Sequence, residues 1–91
     1  MRDADFEWDD RKADANVRKH GLSFVMARRA FAASRFLDKA DDDPDEDRAT
    51  RIAEVDGRLI AVTYVERGRR IRIISARKAT RHERAGYDEQ G

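Results

Sequence analysis

The sequence contains no cysteine, so it has neither a disulfide nor a thiolate metal site. No apolar run approaches the roughly 20 residues needed to span a bilayer. The opening stretch, MRDADFEWDD, has none of the apolar character of a secretory leader. A cytoplasmic protein without a membrane segment is therefore expected. The chain also lacks a Ser–His–Asp order, a cysteine nucleophile, a phosphate-cradling Walker loop and zinc-ligand spacing, so hydrolysis by those routes has no support. Apolar residues are outnumbered by charged ones, 40% against 43% of 91 residues. That allows one domain over residues 1–91 with a thin core, one sheet covered mainly on one face, whose stability a partner would raise.

The net charge of +1 conceals segregation. Residues 38–47, DKADDDPDED, carry seven acids and one lysine. Residues 48–87 carry eleven Lys or Arg against four acids, Glu54, Asp56, Glu66 and Glu83. A basic half beside an acidic stretch fits an anionic partner with some internal screening. It equally fits a salt-laced, solubilising surface.

Local signals divide the chain. Phe6–Trp8 reads as a short extended segment. Asp9 or Asp10 suits an N-cap, because a carboxylate accepts from the free amides of a first turn. A helix is expected over 10–20, with Ala13, Val17 and His20 on one face, Asp14 and Arg18 paired at i, i+4 on another, and Gly21 as the stop. Ser23 caps a second helix in FVMARRAFAA, burying Phe24, Ala27 and Phe31. A strand is expected to begin over 35–37, and the acidic stretch with Pro44 reads as a loop. Strands are expected over 49–54, 58–66 and 69–76, joined at Asp56-Gly57 and Arg67-Gly68, where glycine takes positive φ without strain. Leu59, Ala61, Thr63 and Val65 alternate with Ile60, Val62, Tyr64 and Glu66; Ile71, Ile73 and Ser75 alternate with Arg70, Arg72 and Ile74. Thr80 and Glu83 form a capping box for a helix over 81–88. The expected class is α+β, a small antiparallel sheet with two N-terminal helices and one C-terminal helix.

Few groups are placed for chemistry. Asp41, Asp43 and Asp45 have the first spacings of a calcium loop, but the sixth position is Glu46 and the twelfth Ile52, so a solvated loop is the better reading. His20, beside Lys19 at a helix end, can serve as a general acid or base, or simply favour the negative end of the helix dipole. His82 reads as a surface residue. Arg67, Arg70, Arg72 and Arg77, with Tyr64 on the neighbouring strand, could clamp a phosphate and stabilise charge building on it. They could also form a solubilising face paired to Glu54 or Glu66. RNA supplies its own nucleophile, the 2′-hydroxyl. Cleaving it needs alignment, proton transfer and charge neutralisation, which Arg, Lys, His and Tyr provide without metal.

An ordered set of residues then resembles the BrnT toxins. Phe6-Glu7-Trp8-Asp9, Lys12, Asn16, Lys19-His20-Gly21 and Ser23-Phe24 are similar to that family's N-terminal half. Asp56-Gly57-Arg58-Leu59, Tyr64 and Glu66-Arg67-Gly68 resemble its central hairpin, and Ile71 through Thr80 with Glu83-Arg84 and Tyr87 its closing segment. Val25, Met26 and Ala53 depart from the pattern. The resemblance implies a RelE-like fold and a ribonuclease that arrests translation. It further implies a BrnA-like antitoxin bearing a ribbon-helix-helix part, in a 2:2 complex that reaches operator DNA only through the antitoxin. The expected catalytic residues are His20, Lys19, Arg67, Arg72 and Arg77, with Lys12, Tyr64, Arg70 and Lys78 contacting RNA and no cofactor or metal. The alternative is a non-enzymatic nucleic-acid-binding or protein-interaction module.

Overall fold

Asp3 starts the chain's order by accepting the amides of Asp5 and Phe6, which leads into a two-residue strand, β1 (Phe6–Glu7). Asp9 is the N-cap of α1 (Asp10–His20), accepting from the amides of Arg11 and Lys12. Gly21, at φ 71°, ends that helix with its N–H on the Val17 carbonyl. Ser23 caps α2 (Phe24–Ala27), which continues directly as a 3-10 turn over Arg28–Ala32. Then come β2 (Leu37–Ala40), β3 (Arg48–Val55), β4 (Arg58–Arg67) and β5 (Arg70–Lys78). Thr80 and Glu83 close the expected capping box on α3 (Arg81–Glu89). This computed structural model describes residues 1–40 and 47–90. Residues 41–46 of the acidic stretch read above as a loop, with Asp41, Asp43, Pro44, Asp45 and Glu46, lie outside the described residues, whereas its first residues, 38–40, belong to β2 instead of the loop.

The class is α+β, with a five-stranded sheet in the order β1-β5-β4-β3-β2 and three helices. The expected layout needs correction in three respects. The sheet is mixed rather than antiparallel, because β1 pairs in parallel with the β5 edge, Phe6 opposite Ile71 and Glu7 opposite Arg72. A strand of the sheet therefore precedes the first helix. The second helix is a single turn that tightens into the 3-10 segment, which brings Phe31 edge-on to Phe6 and Tyr64. The third is of length: β3, β4 and β5 end one or two residues beyond the expected bounds and β5 starts one residue later, while β2 begins at Leu37, within the expected 35–37.

Both faces of the sheet are packed. Under α1, α2 and the 3-10 turn, Trp8, Leu22, Phe24, Ala27 and Ala30 meet Ala53, Val55, Ile60, Val62, Ile73 and Ala76. Under α3, Tyr87 and Ala79 meet Ile52, Leu59 and Ala61, with Leu37 at the margin. The alternation of β4 divides its side chains between these two cores as the sequence pattern requires.

Two features break the simple patterns. Asn16 is the buried residue of α1, whereas Val17 is half exposed. The Asn16 amide donates to the carbonyls of Leu22 and Ala76 and accepts from the Ala76 amide, which satisfies it fully and ties α1 to β5. Along β5, the register passes from Thr63 opposite Ser75 to Tyr64 opposite Ile73. Ile74 is thus the extra residue of a bulge, and the alternation changes phase there. Ile71, Ile73 and Ala76 all pack toward α1 and α2, while Arg72 and Arg77 share the opposite, α3 face.

Candidate functional site

The sheet holds its arginines in three different settings. On the α3 face, Arg77 meets Glu83 end-on, Nη1 to Oε1 at 2.7 Å and Nη2 to Oε2 at 3.0 Å. The Glu83 side chain is 3% exposed and also takes Lys39 Nζ at 3.1 Å and the Thr80 amide. The Arg77 guanidinium, the Thr80 amide and Lys39 together hold the Glu83 carboxyl down at about 2, against the opposing effect of burial. Glu83 in turn raises Arg77. On the same face Arg72 donates to Glu7 at 2.9 Å across the β1–β5 pair. At the β4–β5 turn Arg67 is exposed opposite Arg70, whose Nε donates to the Asp3 carbonyl.

Tyr64 belongs to the other face. It is buried, with its ring 4.8 Å from Phe31 and its hydroxyl on Asp38 at 3.1 Å. Burial, and then the Asp38 carboxylate, push its phenol up. Arg51 lies over Phe31 and Phe36 and pairs with both Asp38 oxygens, completing an aromatic–guanidinium cluster.

A cavity of about 390 Å³ opens at the opposite end of the sheet from Arg67. Four elements build it. His20 and Leu22 come from the end of α1, Gly57 and Arg58 from the β3–β4 turn, Lys78 from the end of β5, and Arg84 from α3. The turn is tight because Asp56 and Gly57 both take positive φ, 51° and 78°, the conformation that matches strand twist in a hairpin. Arg84 reaches the cavity because the capping box turns its neighbour Glu83 inward. Among the described residues, no carboxylate lines the cavity. Among the described residues, no ion pair engages Arg58, Lys78 or Arg84, so three cations and an imidazole face one space unopposed.

The expected site residues therefore separate. His20 and Lys78 share the cavity, and Lys19 is exposed beside it. Arg77 is next to Lys78 but on the other face of β5, with Arg72 further along. Arg67 and Arg70 stand at the far end, nine strand steps or about 30 Å away, too far to act on the same phosphate as His20. Lys12 is exposed at the start of α1. Arg58 and Arg84 line the cavity without having been given a site role from the sequence, although both stand in the segments that resemble the BrnT toxins, beside the Asp56-Gly57 turn and within the capped helix. Among the described residues, no three His, Asp or Glu side chains come together as metal ligands, and no helix is long and apolar enough to cross a membrane.

A cavity with this lining suits a phosphodiester: cations to hold its oxygens and an imidazole to move a proton. A family model described as "Ribonuclease toxin, BrnT, of type II toxin-antitoxin system" matches residues 8–83, from the end of the first strand into α3. No curated protein matches the sequence.

Proposed function

The chain belongs to the BrnT family of ribonuclease toxins of type II toxin–antitoxin systems, and from that membership we propose that it is a metal-independent endoribonuclease whose cleavage centre is the basic cavity around His20. The observation that carries this reading is the unopposed convergence of Arg58, Lys78 and Arg84 on that imidazole. Every other arginine of the expected site that is paired on the sheet, Arg72 and Arg77, already has a carboxylate.

In the proposed reaction the ribose 2′-oxygen attacks the adjacent phosphorus and its proton passes to a base. The bond to the 5′-oxygen of the next nucleotide breaks, and that oxygen takes up a proton. The products are a 2′,3′-cyclic phosphate and a 5′-hydroxyl. His20 is the proton-transfer group, with Lys19 beside it. Lys78, Arg58 and Arg84 hold the non-bridging oxygens and stabilise the charge of the pentavalent state, which is where such cations act most strongly. Arg77 and Arg72, held by Glu83 and Glu7, position β5 against α3 and β1 beside the cavity. Arg67, Arg70 and Lys12 touch only more distant RNA, and Tyr64 supports the sheet beneath.

The family context extends the proposal to the cell. Cleavage arrests translation in the cytoplasm, and a BrnA-like antitoxin neutralises the toxin in a 2:2 complex that binds operator DNA through the antitoxin. The test is purified protein with a defined RNA in EDTA, with and without ribosomes. Discrete fragments ending in cyclic phosphate, abolished by a 2′-deoxy sugar at the cut, are expected. RNA left intact in both arms, with binding that weakens steeply with salt, would identify a non-enzymatic nucleic-acid-binding module instead.

A further inference from the structure

The described residues include four exposed large apolar side chains, and three of them border one groove. Met1 is 36% exposed, Val17 47% and Val25 63%. The groove has a volume of about 400 Å³ and lies between the first residues, α1 and α2. Its floor is rigid: Trp8 and Phe24 are buried there, ring to ring at 5.8 Å in an edge-to-face arrangement. Val17 occupies the stripe of α1 that helical periodicity marks for burial, yet the described residues leave it half exposed. Concentration of exposed apolar surface in one place marks an interaction site rather than ordinary scatter.

The charged side chains of the rim are acidic, and the N-terminal ammonium of Met1 is the cation beside them. Asp10 and Asp14 are the only charged side chains that line the groove. Asp10 accepts from the N-terminal ammonium, and Asp14 has no ion pair among the described residues. With Asp10 held by the ammonium, Asp14 leaves the groove acidic, the reverse of the His20 cavity. An apolar floor with an acidic rim is complementary to an amphipathic helix with apolar residues at i, i+3 and i+4 and Lys or Arg at its flanks. The position is telling as well. Val17 and His20 are three residues apart on one face of α1, a rise of about 4.5 Å.

We propose that this groove anchors an amphipathic helix of the antitoxin that places Lys or Arg beside Asp14, and that the segment following it, carrying acids toward Arg58, Lys78 and Arg84, continues over His20 and closes the cavity to RNA. The inference rests on the reading that the chain acts with an antitoxin, and it adds the surface, the chemistry of the docking segment and the manner of neutralisation. The groove is separate from the cleavage centre, so binding and cleavage can be altered independently.

The test measures affinity for the immobilised full-length antitoxin of three toxins: the parent, the Val17→Lys/Val25→Lys double variant and Asp14→Lys. All three positions are exposed, and the circular dichroism spectrum certifies the fold. The double variant is expected to bind about 100-fold more weakly and Asp14→Lys about tenfold more weakly, while both cleave RNA at the parent rate without antitoxin. Parental antitoxin affinity in both folded variants would overturn the proposal. So would a toxin that sediments alone as a dimer, dissociated by the double variant with antitoxin affinity unchanged, because the groove would then belong to a second copy. If no toxin cleaves RNA but the variants still lose the antitoxin, the docking surface stands and the cleavage reading falls.

Discussion

Arg77 and Glu83 lie six residues apart and join the last strand to the first turn of α3, both guanidinium ends on both carboxylate oxygens at 2.7 and 3.0 Å. The same carboxylate accepts the Thr80 amide, so one side chain serves as strand partner and as helix cap. Removing its charge leaves the buried Glu83 position without its ion pairs, while Arg77 and Lys39 keep partial contact with water.

Glu83→Gln should therefore lower stability by about 1–2 kcal/mol at pH 7, less than the full shift because water screens Arg77 and Lys39. The carboxyl is depressed from its ordinary 4.5 to about 2 in the folded protein. Its contribution is accordingly full above pH 4.5 and is lost as the pH falls through about 2. Urea midpoints of parent and variant should differ clearly at neutral pH and converge toward pH 2. A gap that persists unchanged in acid would show that packing, not charge, accounts for the loss.

Asn16→Ala removes the amide that serves two carbonyls and one N–H between α1 and β5. Three buried backbone groups lose their partner, and a loss of about 2–3 kcal/mol in urea unfolding is expected. Asn16→Asp should not rescue it, since an ionised carboxylate has no donor for the Leu22 and Ala76 carbonyls. Stability equal to the parent in either variant would mean that α1 is held by its apolar contacts alone.

Features written in adjacent residues were legible in the sequence. The caps at Asp9 and Ser23, the Gly21 stop, the Asp56-Gly57 turn and the Thr80–Glu83 box each depend on a side chain and the backbone within a few residues of it. What was not legible depends on partners far along the chain. The parallel pairing of β1 joins Glu7 to Arg72, and the burial of Asn16 in place of Val17 follows from its bonds to Ala76. The bulge at Ile74 moved Arg77 to the face that strict alternation assigns to Arg72. In the candidate site, His20 and Lys78 could be named from residue type. Arg58 and Arg84 could not, because they reach the cavity only when the hairpin end and α3 fold against the end of α1.

Lys78→Ala and Arg84→Ala should each weaken binding of a short single-stranded RNA and flatten the slope of log affinity against log salt by about 0.7, one phosphate contact apiece. The check is a salt titration by fluorescence anisotropy with a non-cleavable 2′-deoxy-substituted oligonucleotide. A slope identical to that of the parent in both variants would move the phosphate contacts out of the cavity.

The most direct test of the central claim is the single-turnover cleavage rate of His20→Ala against the parent, on one defined RNA in EDTA. His20 is exposed, so the fold should survive its loss. The account predicts cleavage at least about 100-fold slower with RNA affinity close to that of the parent, the signature of a lost proton-transfer group. A variant that cuts the same bonds at the parental rate would contradict it and place the chemistry away from this cavity.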